Sequence, residues 1–172
     1  NPYVFRTSFT QSTAMPKIAN YIKDTVKAKV VDVVYVNNDF GKGGRDLIIK
    51  SLEARGIKIG ADISSDPGQV DFSSVVIKAK QSNGDALFAY TNEEESARLL
   101  RELKKQGYNK PVIGETVLTS QKVIELAGEA ANGAIAHVGL TADAPQALVK
   151  KFDESFQKEF KTRSDHNGLK GY

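Results

Sequence analysis

Short apolar runs rich in β-branched residues alternate with longer amphipathic runs along the whole of this 172-residue chain, and this alternation limits its possible folds more than any other feature. The clearest apolar run is 31–36, VDVVYV, which ends at an Asn-Asn-Asp turn and has the composition of a buried strand. Strand–helix alternation is typical of layered domains with a mainly parallel sheet. The sequence therefore predicts a three-layer α/β/α, Rossmann-like domain.

The alternation also predicts where the individual elements lie. The predicted strands are 31–36, 57–63, 86–90, 111–114 and 134–139. The predicted helices are 14–26, 43–55, one opening at Asp71, 94–106, 120–127 and 145–160. Ligands of open parallel α/β sheets bind beyond the carboxyl ends of the strands, so the polar loops after the strands are the expected place for a site.

Composition excludes several classes of function. The chain has no Cys, which excludes disulfides and thiolate chemistry, and its two His residues are too few for an ordinary zinc site. The net charge is +3, and basic and acidic residues are mixed as on solvated helix faces, which argues against a nucleic-acid partner. No apolar run approaches the roughly 20 residues of a membrane helix. We expect neither a cofactor nor a metal.

The candidate catalytic motifs are incomplete. The segment 40–44, FGKGG, follows a strand, but it lacks the Lys-Ser or Lys-Thr pair of a Walker loop, and Asp46 stands where a dinucleotide fingerprint needs its third Gly. The acids Glu93, Glu94 and Glu95 are explained by the dipole of the helix that they begin. There is no Gly-x-Ser-x-Gly elbow. We therefore predict that the chain is not an enzyme.

Several short motifs follow one another in a recognisable order along nearly the whole chain. They are Phe5-Arg6-Thr7 with Gln11, Asp39-Phe40-Gly41, Leu52-Glu53-x-x-Gly56, Asp66-Pro67-Gly68 with Asp71-Phe72-Ser73, Gly84-Asp85-Ala86, Leu100-Arg101-x-Leu103, Val112-Ile113-Gly114 and Ala127-Gly128 with Asn132-Gly133. This order resembles the leucine/isoleucine/valine-binding family of type I periplasmic binding proteins, the receptors of ABC importers.

The resemblance implies a protein of two lobes with the ligand in the cleft between them. Residues 1–172 would form a single α/β lobe, the second of the two, with 1–10 and 165–172 near the interlobe crossovers and the first lobe missing. The implied function is an extracytoplasmic receptor that captures an amino acid, amide, urea or aromatic acid by interlobe closure. The alternative is a ligand-sensing regulatory or receptor domain on the same scaffold.

The resemblance also implies location and partners. The receptor would be periplasmic, or extracellular and lipid-anchored in a Gram-positive host. Its partners would be a small-molecule solute, the membrane permease of an ABC importer and the missing first lobe of the same protein.

The implied ligand-binding residues are Phe40, Asn92, Glu93, Glu115, Thr116 and Asn167. Phe40 would pack on the ligand, and Asn92 stands where the family pattern has an aromatic. An acid that takes the ligand's α-amino group is expected after the Val-Ile-Gly strand, where Thr116 occupies the matched position and Glu115 precedes it. With only one lobe present, Phe40 is expected to be far more exposed than most aromatic residues.

Overall fold

The computed structural model describes residues 3, 9–164 and 168–169. The chain divides into two compact units, a larger one formed by Gln11–His137 and a smaller one formed by Asn1–Thr10 with Val138–Tyr172. The larger unit contains the sheet and the candidate site, and the smaller one contains the last described α-helix.

A fully parallel sheet forms the centre of the larger unit. Its strands are β1 Val30–Val36, β2 Lys58–Ser65, β3 Ala86–Tyr90, β4 Val112–Glu115 and β5 Ile135–His137, arranged in the order β2-β1-β3-β4-β5. All four neighbouring pairs are parallel. The predicted strands are confirmed to within two residues at each end, because continuous β-branched runs suit strands that are buried on both faces.

Helices cover both faces of the sheet. They are α1 Gln11–Tyr21, α2 Asp39–Glu53, α3 Ser73–Gln81, α4 Glu93–Lys105 and α5 Gln121–Ala127. The first two pack on one face, where Met15 and Ile48 meet Val31 and Phe88. The other three pack on the opposite face around Leu87. The predicted three-layer α/β/α architecture is confirmed for this unit.

The strand order creates a crevice at the carboxyl ends of the central strands. From β1 the chain passes to β2 on one side, and from β2 it returns to β3 on the other side of β1. The connections that leave β1 and β3 therefore diverge at their carboxyl ends. Ligands of doubly wound sheets bind at this kind of switch point.

Helix α2 begins earlier than expected. The sequence predicted a helix over 43–55, whereas the helix begins at Asp39. The side chain of Asn38 caps it, since Oδ1 accepts a hydrogen bond of 2.8 Å from the backbone N–H of Gly41. Phe40 therefore lies in the first turn of a helix, where its backbone is fixed.

The smaller unit contains α6, Ala147–Phe160, close to the predicted 145–160. Val149 and Phe152 of this helix pack with Leu169 in a small core of their own. None of the described helices combines the length and the apolar character that crossing a membrane requires.

Candidate functional site

Two stacked aromatic rings lie at the switch point between β1 and β3. Phe40 follows β1, and Tyr90 is the last residue of β3. The ring centroids are 4.5 Å apart and the ring planes differ by 28°. Phe40 is 38% exposed, as expected, whereas Tyr90 is only 3% exposed. The crevice therefore presents one aromatic ring to its surroundings and keeps a second ring beneath it.

The hydroxyl of Tyr90 is held by a residue from the start of α1. Gln11 Nε2 donates a hydrogen bond to Tyr90 Oη. Burial and the negative charge of Glu115 raise the pKa of the Tyr90 phenol, and together they outweigh the opposite effect of Gln11. The phenol is therefore neutral at physiological pH, and the charge of Glu115 lies close enough to act on it.

The glycine-rich segment 40–44 is explained by close packing rather than by phosphate binding. A Cβ at Gly44 would overlap the ring of Tyr90, and a Cβ at Gly41 would overlap the carbonyl group of Val36. Both positions lie in α2, so the glycines let this helix approach the end of the sheet closely. The motif belongs to the wall of the crevice.

Glu115 and Thr116 lie where β4 ends. The Thr116 hydroxyl is 2.7 Å from Glu115 Oε1 and 2.9 Å from the carbonyl oxygen of His137. Thr116 is buried and Glu115 is half-buried. Thr116 therefore connects the end of β4 to the end of β5, and Glu115 is the last residue of β4 beside it.

Asn92 and Glu93 lie at the start of α4, and their side chains contact neighbouring protein groups. Asn92 Nδ2 is 3.4 Å from Oε1 of the buried Glu95. Glu93 Oε1 accepts a hydrogen bond of 3.0 Å from Ser120 Oγ. Lys122 Nζ lies 3.8 Å from the other oxygen of Glu93. These contacts join the loops that follow β3 and β4.

Sequence reasoning missed two residues of the crevice and named one that lies outside the described residues. Tyr90 and Gln11 were not predicted as site residues, although an aromatic at the carboxyl end of a central strand is a signal that could have found Tyr90. Asn167 lies outside the described residues. Within the described ranges, no group of three His, Cys, Asp or Glu side chains is arranged to hold a metal.

A separate cavity of 640 Å³ lies at the opposite end of the sheet, beside the amino ends of β4 and β5. It is lined by the end of α4 and by the residues that precede β4 and β5, among them Leu103, Tyr108, Pro111 and Ala134. These are the amino ends of the strands. The switch-point crevice is therefore the better candidate for a ligand site.

Comparison with known proteins gives the same family along the whole chain. A family model described as "Periplasmic binding protein" matches residues 1–172. A leucine-, isoleucine-, valine-, threonine- and alanine-binding protein of Pseudomonas aeruginosa is 24% identical over 133 residues, which are 77% of this chain and 36% of that protein.

Solved structures share the fold. A leucine-binding protein of Thermotoga maritima superposes with a TM-score of 0.89 at 22% identity, covering 99% of this chain and 49% of that one. An ABC transporter substrate-binding protein of Sphaerobacter thermophilus gives a TM-score of 0.91 at 21% identity, covering 100% and 48%. The chain thus spans little more than a third of that curated relative and about half of each solved protein.

Proposed function

This chain belongs to the periplasmic binding protein family, and we propose that it forms one lobe of an extracytoplasmic solute-binding receptor of an ABC importer. The family resemblance expected from the sequence is confirmed. The prediction that the chain is not an enzyme is confirmed as well, because the matching family consists of solute-binding proteins.

The observation that carries the proposal is the exposed ring of Phe40 at the switch point, supported from below by Tyr90. The negative charge of Glu115, at the end of β4, acts on the hydroxyl of the supporting Tyr90. An aromatic face beside a negative charge suits a small organic solute that has an apolar part and an amino group. We therefore propose an amino acid as the solute, in keeping with the names of the curated relatives.

The proposed mechanism is capture between two lobes. The solved relatives are about twice as long as this chain, so the whole protein would supply a second wall opposite Phe40. A solute that contacts both walls has more contacts in the closed state, and this difference shifts the equilibrium towards closure. Delivery to a membrane permease, outside the cytoplasm, completes the proposed role.

The direct test is calorimetry on the full-length protein with leucine, isoleucine, valine, benzoate, acetamide and urea. For the solute that binds, we expect Phe40→Ala to raise the dissociation constant about tenfold or more, roughly 1.4 kcal/mol, because the aromatic contact is lost. Ile77→Ala is the matched control, since Ile77 is an exposed apolar residue of α3, 47% exposed. Equal affinities of the Phe40→Ala and Ile77→Ala proteins would refute the role of Phe40.

Transport and sensing are separated by a second measurement. Deletion of the gene is expected to abolish high-affinity uptake of the bound solute by the host cell. Unchanged uptake together with an altered transcriptional response to the solute would favour the sensory alternative.

A further inference from the structure

We propose that Tyr90 is a positioning residue, which holds Phe40 in the one orientation that presents its free face to the ligand. This inference rests on the proposed function, because Phe40 is a ligand wall only there. The structural part of the inference can be tested without any ligand.

Tyr90 itself is fixed from several sides. Its backbone belongs to β3, which is paired with β1 on one side and β4 on the other, and Tyr90 is aligned with Tyr35 of β1. Its hydroxyl accepts the hydrogen bond from Gln11. The closely packed Gly44 leaves its ring no room on the α2 side. A ring held in this way can serve as a rigid support.

Phe40 lies in a different environment. It is the second residue of α2 and 38% of it is exposed, so one part of its side chain has no protein packed against it. The ring contact at 4.5 Å with Tyr90 is the aromatic contact that orients it. Without this contact, an exposed side chain would populate several rotamers, and ligand binding would have to order it at a cost in affinity.

A tryptophan reporter makes this testable. The 172-residue chain contains no Trp, so Phe40→Trp introduces one indole at the position of interest. Quenching by acrylamide and fluorescence anisotropy then report its exposure and mobility. The second substitution is made in this background, at Tyr90 or at a control position.

We expect Tyr90→Leu to raise the acrylamide quenching constant of the indole about twofold and to lower its anisotropy, because the freed side chain samples more rotamers. Tyr90→Phe keeps the ring and is expected to preserve both values. Tyr35→Leu is the matched control, since Tyr35 is the aligned tyrosine of β1 and its ring faces Arg45 at 5.9 Å. Circular dichroism shows whether each variant is folded.

Unchanged quenching in Tyr90→Leu, or an equal rise in Tyr90→Phe and Tyr35→Leu, overturns the inference. If Tyr90→Leu does not fold, Tyr90→Met replaces it, since it also removes the ring that stacks on Phe40, and a rise in quenching in that variant is required. If the proposed function is wrong but the inference about Tyr90 is right, the measurements give a different combination of results. In that case quenching would respond to Tyr90→Leu, whereas Phe40→Ala in the full-length protein would leave solute affinity unchanged.

Discussion

Asp32 shows how one buried residue shapes the sheet. It lies in the central strand β1 with no exposed surface. Val31 pairs with Ile59 and Val33 pairs with Asp62. Two residues of β1 are therefore matched by three residues of β2, and the extra residue makes a β-bulge in β2. Asp32 Oδ1 accepts a hydrogen bond of 2.8 Å from the Ala61 N–H in the bulge. The carboxylate therefore pairs with an amide of the bulge.

The bulge changes which face of the sheet the side chains of β2 point to. Ile59 packs against the core beneath α1 and α2, whereas Ile63 packs in the core beneath α3, α4 and α5. Strict alternation would put both on the same face. The shift also allows Asp62 to meet Arg45 of α2, whose Nε is 3.0 Å from Asp62 Oδ2.

We predict opposite effects of two substitutions at this position. Asp32→Ala leaves the Ala61 amide without its acceptor and is expected to lower the free energy of unfolding by about 1–3 kcal/mol. Asp32→Asn keeps an acceptor oxygen and removes a buried charge, so it is expected to raise the free energy of unfolding at pH 7. Urea denaturation of the three proteins measures both effects.

The pH dependence follows from the same residue. Burial raises the pKa of Asp32 and outweighs the opposing effects of the Ala61 hydrogen bond and the Lys110 charge, while the charge of Asp85 raises the pKa further. The folded protein therefore retains this proton at a pH where the unfolded chain has lost it. Relative to Asp32→Asn, the free energy of unfolding of the wild type should fall as pH rises from the ordinary aspartate pKa to the raised pKa of Asp32 in the folded protein. Above that pH the difference between the two proteins should stay constant. A pH-independent difference would contradict the assignment.

Helix α4 illustrates the scale of a single element. Its first turn contains Glu93, Glu94 and Glu95, which were interpreted together as acids that complement the helix dipole. The structure separates them, because Glu95 is 3% exposed and accepts a hydrogen bond of 2.7 Å from the Gly68 N–H in the loop after β2. Glu94 is exposed and pairs with Arg98 at 3.2 Å.

We therefore predict unequal costs for two adjacent acids in the same turn. Glu95→Ala is expected to lower the free energy of unfolding by about 1–3 kcal/mol, since a buried charge-assisted hydrogen bond is lost. Glu94→Ala should cost less than about 1 kcal/mol, as for other surface ion pairs. Hydrogen exchange should accelerate at Gly68 in the first variant only. Equal costs would mean that the helix dipole accounts for both residues.

At the scale of the whole molecule, the half-length match predicts how the 172-residue chain should bind. A lone wall cannot bury the roughly 70–90% of a ligand that typical small-molecule sites enclose. If half of the roughly 8 kcal/mol of a micromolar affinity is lost, the dissociation constant rises to about the millimolar range. Calorimetry should therefore find tight binding by the full-length protein and weak binding by this chain. Micromolar binding by the chain alone would contradict capture between two lobes.

The sequence by itself determined the strands, the helices and the layered architecture. Periodicity reports which side chains are buried, and the alternation of period 2 with helical spacing is local enough to be read from neighbouring residues. The family resemblance, through the Asp-Phe-Gly motif, also pointed to Phe40, and the missing first lobe that it implied led us to expect the exposure of this ring. The start of α2 was placed too late, because its glycines were interpreted as a loop.

Only the tertiary structure decided how the crevice is built. Tyr90 lies on the same face of β3 as Ala86 and Phe88 and is buried with them, so its sequence pattern is that of a core strand residue, and its place at the end of the strand is its one local signal. Its hydroxyl is bonded to Gln11, 79 residues away, and its ring supports Phe40, on the helix that follows a different strand. Such partners depend on the order of the strands in the sheet. The spacing of apolar residues along the chain does not encode this order, because hydrophobic burial is non-directional and does not specify which strands pair. Which strand ends become neighbours is settled by long-range pairing, and that pairing assembles the candidate site.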